Sequence, residues 1–256
     1  MKPMISFIKK EFIAQLRSKK VMILALVFAF IGITNPIIAK LTPWILKIAS
    51  DTLEGSGISI GEIEVTALDS WLQFFSNLSI VLIVFVVLQS NIFTKEYSKG
   101  TLILVLTKGF ERVKVVISKL FVMIVLWTIC YLICFASTYL INIFLWDNSL
   151  AKSLVFAVFI WWFFGVFVLF LITLFSCMFN SNIGVLGLTG GVVLVLYVVS
   201  FITKVKRFIP MILTEGANIV YGLQKPSYYL IALCITLLLM ALSLLLSIIN
   251  FNKKKL

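Results

Sequence analysis

The chain has 256 residues, 62% of them hydrophobic and only 12% charged, with a mean hydropathy of +1.15. A water-soluble domain carries about a quarter of charged residues, so this composition excludes one and requires solvation by lipid. The formal net charge of +12 would point to nucleic acid in a soluble chain; in a lipid-solvated chain it reports loop orientation instead, and nucleic acid is not an expected partner.

In chain order, the first predicted element is an amphipathic helix over 4–20. Ile5, Ile8, Phe12 and Leu16 recur at helical spacing, and Lys9, Lys10, Arg17, Lys19 and Lys20 supply a basic face. Such a helix lies in the headgroup plane with its apolar side toward the acyl chains, or else is only the basic flank of the first span. Five stretches free of Asp, Glu, Lys and Arg follow, at 21–39, 70–94, 120–146, 153–203 and 226–252. A spanning helix needs ~20 apolar residues. The fourth stretch is about twice that length and has Asn180, Ser181 and Asn182 near its middle, so it predicts a helical hairpin. Six spans result, at about 21–40, 70–94, 115–146, 153–178, 183–203 and 227–250. The basic region before the first apolar run is too long for a signal peptide, so that span is expected to remain in the mature chain. Asn35-Pro36 predicts a kink or stop near its outer end. Gly55, Ser56, Gly57 and Gly61 mark the loop that follows as a polar connection.

With the N-terminus inside, 15 of the 22 basic residues fall in inner segments, and the outer segments carry no net charge. Lys and Arg accumulate in short cytoplasmic loops, so both termini are expected in the cytoplasm. Farther along, Gly187 and Gly191 fit a small-residue helix contact, within the monomer or at a dimer seam. Residues 204–225 mix Pro210, Gly216 and Gly222 with apolar residues and predict interrupted helices that dip back into the outer interface. The cysteines Cys130, Cys134, Cys177 and Cys234 lie in or at the ends of apolar runs, and no histidine accompanies them, so neither disulfide nor zinc is expected.

The most informative segment is the inner connection 95–119, KEYSKGTLILVLTKGFERVKVVISK. Leu102, Ile103, Leu104, Val105 and Leu106 form an apolar run too short to span, with charges on both sides. Left exposed, each such side chain forgoes ~1.5–3 kcal/mol of burial. The run is therefore covered by the protein's own helices, by the lipid interface, or by a partner with a groove for a short helix. Gly100 and Gly109 bracket it, which predicts a discrete short helix between two turns.

This segment resembles the corresponding connection in membrane permeases of type-2 ATP-binding-cassette exporters. In that family an acidic residue precedes Gly-Thr-Leu, an apolar run, a turn, an Arg and a Lys that opens the third span. Here these are Glu96, Gly100-Thr101-Leu102, Leu104 to Leu106, Lys108-Gly109, Arg112 and Lys119. Where the family often has Pro in the turn, this chain has Phe110 and Glu111. The resemblance covers nearly the whole chain in layout and implies a single transmembrane domain over 1–256: an all-α fold of six spans with an elbow helix, a coupling segment over 95–112 and re-entrant helices before the sixth span. It implies that Glu96, Gly100, Thr101, Leu102, Leu104, Val105, Leu106 and Arg112 couple to an ATPase, and that Ile5, Ile8, Lys9, Lys10, Phe12, Leu16 and Arg17 form the elbow. It also implies two copies of a cytoplasmic ATPase subunit, a second permease copy in a homodimer, and location in a bacterial inner membrane.

The sequence contains no G-x-x-x-x-G-K-[ST] phosphate loop, so the chain itself is not expected to be an enzyme, and ATP with Mg2+ belongs to the partner. The alternatives are a secondary transporter, which generally needs ionisable residues at midplane, and a passive sensor or immunity protein working without an ATPase. A membrane enzyme lacks a histidine base and a buried carboxylate dyad in the proposed spans. Uncharged spans suit an amphipathic peptide, antimicrobial or toxin-like, or a lipid-like cargo. Asn77, Gln89, Tyr131, Thr138 and Asn142 are the candidate substrate path, against the simpler reading that they hydrogen-bond between helices.

Overall fold

The computed structural model describes residues 2–53, 64–107 and 109–254. Gly55, Ser56, Gly57 and Gly61, expected in the first outer loop, and Lys108, expected in the turn after the short apolar run, lie outside the described residues. The described residues contain helices and no strand. They are α1 (Lys2–Arg17), α2 (Lys20–Leu53), α3 (Ala67–Gln89), α4 (Asn91–Lys99), α5 (Thr101–Thr107), α6 (Arg112–Leu145), α7 (Leu154–Met178), α8 (Asn182–Val199), α9 (Thr203–Lys206), α10 (Gly216–Val220) and α11 (Leu230–Lys253). Short 3-10 turns lie between several of them. Among the described residues six stretches are long and apolar enough to cross a membrane: Lys20–Ile48, Ala67–Ser98, Arg112–Leu145, Leu154–Met178, Asn182–Val199 and Pro226–Lys253. The chain is thus an all-α protein of multi-pass membrane character.

The first span neither stops nor breaks at Asn35-Pro36; α2 runs through both Pro36 and Pro43. Proline at 36 removes the amide that would bond the carbonyl of Gly32, four residues earlier. The hydroxyl of Thr138 on α6 donates to that carbonyl instead, at 2.8 Å. Gly32 lets α6 approach this closely, since a Cβ there would lie 2.6 Å from the Cys134 carbonyl oxygen. In lipid, a freed backbone acceptor needs such a partner, and supplying it keeps the helix continuous.

The uncharged run of 153–203 divides into α7 and α8 around Phe179, Asn180 and Ser181. Helix α7 is the most enclosed span and packs on α11, α8 and α6, whereas α2 packs on α6 and α3. The core between them is aromatic: Trp127, fully buried, lies edge-on to Phe28 and Phe85 at ring distances of 5.8 and 5.3 Å. At one end of the bundle the Thr66 hydroxyl and Asp69 carboxylate form a capping box that starts α3. At this end the Trp71 indole N–H donates to Asn148, the Lys152 amide to the Val220 carbonyl, and the Tyr221 hydroxyl to the Leu68 carbonyl. The short pieces between α8 and α11 bury Ile212, Leu213, Ile219 and Val220 against α3, α7 and α11. At the opposite end Lys20 reaches Leu88, and Arg112 reaches Phe251, so both chain termini lie at that end.

Candidate functional site

The segment after α3 forms two short helices on the end of the bundle that carries the termini. Gly100 (φ 63°) closes α4 in the left-handed region and Gly109 (φ 80°) follows α5, conformations that carry little cost only without a Cβ. Between them α5 presents Thr101 and Ile103 outward, while Leu102 is 1% exposed and Leu106 packs against the core. The side chains of Leu104 and Val105 lie outside the described residues. The apolar run is therefore not bare as a whole: the protein's own helices cover Leu102 and part of Leu106, and Ile103 remains 44% exposed.

Where α4 meets α1 and α6 lies a charged cluster that the sequence pattern did not reveal. Lys119, on the first turns of α6, has a side chain only 1% exposed, and its ammonium sits 2.9 Å from a Glu11 carboxylate oxygen and 3.0 Å from one of Glu96. It also donates to the Ile92 carbonyl at 3.2 Å and lies over the Phe93 ring. A buried ammonium requires such company, because desolvation of an isolated charge costs several kcal/mol. Two carboxylates against one ammonium leave a negative excess, which Lys10 offsets from 3.5 Å at Glu11. The cluster joins α1, α4 and α6 through one atom. Glu11, the sole acid before residue 51 and one helical turn beyond the buried Phe7, was the available sequence signal.

The residues expected in the elbow divide between two faces of α1. Ile8 and Phe12 pack against the bundle, whereas Ile5, Lys9, Lys10, Leu16 and Arg17 are exposed. Phe7 stacks at 4.8 Å on Phe110, in the turn that follows α5. Arg112 does not stand free at this surface: its Nη1 donates to the carbonyls of Phe251, Asn252 and Lys254, at 2.8, 3.1 and 2.7 Å, where α11 ends. A cation at a helix C-terminus satisfies carbonyls that have no partner inside the helix. Lys254 does the same for α7, donating to the carbonyls of Cys177 and Phe179 and lying 4.0 Å from the Tyr97 ring centre. Burial holds its ammonium below the ordinary lysine range. The Tyr97 hydroxyl completes the clamp by donating to the Ser176 carbonyl.

Of the five candidate path residues, Asn77 and Thr138 are joined through Asn35, and Tyr131, Gln89 and Asn142 have no hydrogen bond to them. Asn77 donates to Asn35 at 2.8 Å, Asn35 donates to Thr138 at 3.2 Å, and Thr138 donates to the Gly32 carbonyl, a chain that ties α2, α3 and α6. Tyr131 is buried and donates to the Val158 carbonyl at 2.8 Å. Gln89 and Asn142 are fully buried, and neither side-chain amide has a hydrogen-bond partner. At the end opposite the termini, an open groove of about 1130 Å³ runs between α6 and α7. Phe135, Tyr139, Phe156 and Phe159 line it, with Asp147 at its polar edge. The hydroxyl and amide of Ser149 hold the Asp147 carboxyl below the usual carboxylate range, so it is charged at neutral pH.

A Cβ added at Gly187, Gly190 or Gly191 would meet no atom within 4 Å, so this glycine face makes no close helix contact inside the monomer. Among the described residues no group of three or more His, Cys, Asp or Glu side chains is arranged to hold a metal. No family model matches the chain, and no curated protein matches it.

Proposed function

We propose that this chain is the permease subunit of an ATP-driven exporter, taking its power stroke from a separate cytoplasmic ATPase and moving an amphipathic peptide or lipid-like molecule out of the cell. The observation that carries the reading is the linkage of the α4–α5 segment to the bundle: α5, with Ile103 exposed, packs on α4, and α4 is held to α1 and α6 by the Glu11–Lys119–Glu96 cluster. Force applied at α5 passes to α4, and from α4 to α1 and α6 through a buried, hydrogen-bonded charge that resists deformation. In this reading α1 is the elbow in the headgroup plane, α4 and α5 are the coupling segment, and the short helices before α11 are re-entrant. The groove with its aromatic walls and charged Asp147 suits an amphipathic cargo on the outer side. Pairing with a second permease copy completes the transporter, and the unburied glycine face of α8 favours a homodimer.

The burial of Leu102 and Leu106 favours a second reading, a sensor or immunity protein that needs no motor, because less apolar surface then awaits a partner. Ile103→Asp separates the two. The substitution is at an exposed position and should leave membrane insertion and thermal stability near wild type. A tagged wild-type chain purified from its native membrane should carry a nucleotide-binding subunit, and the variant should retain at least about tenfold less of it, as for a residue central to an interface. Equal recovery from both, or none from either, removes the motor from the account. Orientation is checked independently with cysteines introduced at two exposed positions on opposite ends. Ser149→Cys should react with an impermeant thiol reagent in intact cells, and Ser98→Cys should react only after lysis. The opposite pattern would place both termini outside.

A further inference from the structure

The charged end of the bundle contains a cleft of about 270 Å³ that its own side chains leave unbalanced. Lys10, Glu11, Gln15, Lys20, Lys95 and Glu96 line it. Both carboxylates turn to Lys119, and Lys10 stands at Glu11, so these four groups compensate one another. Lys20 and Lys95 remain, close enough for their charges to repel, with no carboxylate paired to either among the described residues. Lys20 donates to the Leu88 carbonyl at 2.7 Å and to Asn91 Oδ1 at 2.5 Å, which fixes its ammonium at the cleft and leaves one of its three protons to donate. The side-chain oxygen of Gln15 is buried at the wall without a hydrogen-bond partner. An amide turned end for end would offer its NH2 at that point to an incoming acceptor.

We propose that this cleft binds the phosphate of an acidic phospholipid headgroup. An anion there would receive the free Lys20 proton, the Lys95 ammonium and the Gln15 amide, and would relieve the repulsion between the two lysines. The position of the cleft, with Lys20 of its lining opening the first membrane-spanning stretch, points to an amphiphile as the source of the anion. The same two helices carry exposed apolar side chains, Ile13 and Leu16 on α1 and Met22, Ile23 and Leu26 on α2. Acyl chains attached to the bound headgroup would lie along them, where a free inorganic anion has nothing to contribute. The inference rests on the membrane-spanning bundle and not on transport, since a chain without any motor would bind the lipid equally.

The test uses the full-length chain in a neutral detergent, with native mass spectrometry and thermal shift as readouts. The probes are dioctanoyl phosphatidylglycerol, dioctanoyl phosphatidylcholine and sodium phosphate. Phosphatidylglycerol should bind and stabilise the wild type, and phosphatidylcholine should do so far less. Lys95→Gln, at an exposed and unpaired side chain, should weaken phosphatidylglycerol binding at least about fivefold, the effect of one basic residue at a membrane surface. Gln15→Met should act in the same direction, and Lys152→Gln at the opposite end should have no effect. Undiminished phosphatidylglycerol binding by Lys95→Gln overturns the assignment, as does equal binding of the two lipids. Stabilisation by sodium phosphate equal to that by phosphatidylglycerol overturns the lipid as the ligand. Lys95→Arg retains the charge and should retain binding; its failure to do so, in a folded sample, would also count against the site.

Discussion

Lys119→Ala should destabilise the protein by about 3–5 kcal/mol, the cost of stripping one partner from a buried ion pair. The substitution leaves the carboxylates of Glu11 and Glu96 facing each other in a site that is almost closed to solvent, and it removes the donor to the Ile92 carbonyl. The same loss should loosen α1 on α6, because Glu11 bonds directly to Lys119 and the packing of α1 then falls to apolar contacts such as those of Phe7, Ile8 and Phe12. Two measurements check this. Denaturant titration in mixed micelles reads the stability, and protease sensitivity near the N-terminus reads the loosening of α1. Combining Lys119→Met with Glu11→Gln and Glu96→Gln removes all three charges at similar volume, and should recover most of the stability, since a neutral cluster no longer buries an uncompensated charge. A triple variant as unstable as Lys119→Ala would mean that the cluster is held by shape and not by charge. If the α4–α5 segment receives force from a motor, the recovered triple variant should still lose transport, because α4 is then no longer joined to α1 and α6 through an ionic contact.

Gly165→Ala should cost about 1–3 kcal/mol, the range for overpacking a well-filled core. A Cβ at 165 would lie 2.3 Å from Trp127 Cζ2, 2.4 Å from Cε2 and 2.7 Å from Nε1. The indole cannot easily move aside. Its N–H donates to the Trp162 carbonyl, its ring meets Phe28, Phe85 and Tyr131, and it has no exposed surface. The Trp162 indole in turn donates to Thr128, so a shift of Trp127 would disturb the contact of α6 with α7 at two places. Thermal unfolding followed by size-exclusion retention should show the loss. Trp127→Leu in the Gly165→Ala background should recover part of it, and the two substitutions together should cost less than their sum. Simple additivity would show that the close approach at 165 is not what limits the packing.

The sequence was most informative where lipid imposes the rule. Uncharged runs of about 20 residues can bury their backbone polar groups in lipid only as helices, which is why the spans were legible without any tertiary information. The left-handed glycines at 100 and 109 were legible for a local reason, since breakers on both sides of five apolar residues leave one turn-bounded helix as the simple solution. At Pro36 the helix does not stop, because the carbonyl that the proline leaves without its amide is satisfied from a distance by Thr138, 106 positions away in the chain.

The same reason hid the charged cluster. In the sequence Lys119 is the residue that opens the third span and Glu11 lies in a helix legible only by its apolar and basic residues, and nothing local to either predicts a meeting across 108 positions. The contact of Arg112 with the end of α11 is likewise made only by folding, and the motif in which Arg112 lies gives no sign of it. Composition and periodicity by themselves determined that the chain is helical, how many stretches can span, and where its charge concentrates, because each of these follows from transfer of local segments between water and lipid. Only the tertiary structure decided which charges are buried, which polar side chains tie helices together, and how much of the short apolar helix stays exposed, because those depend on partners that the chain brings together from far apart.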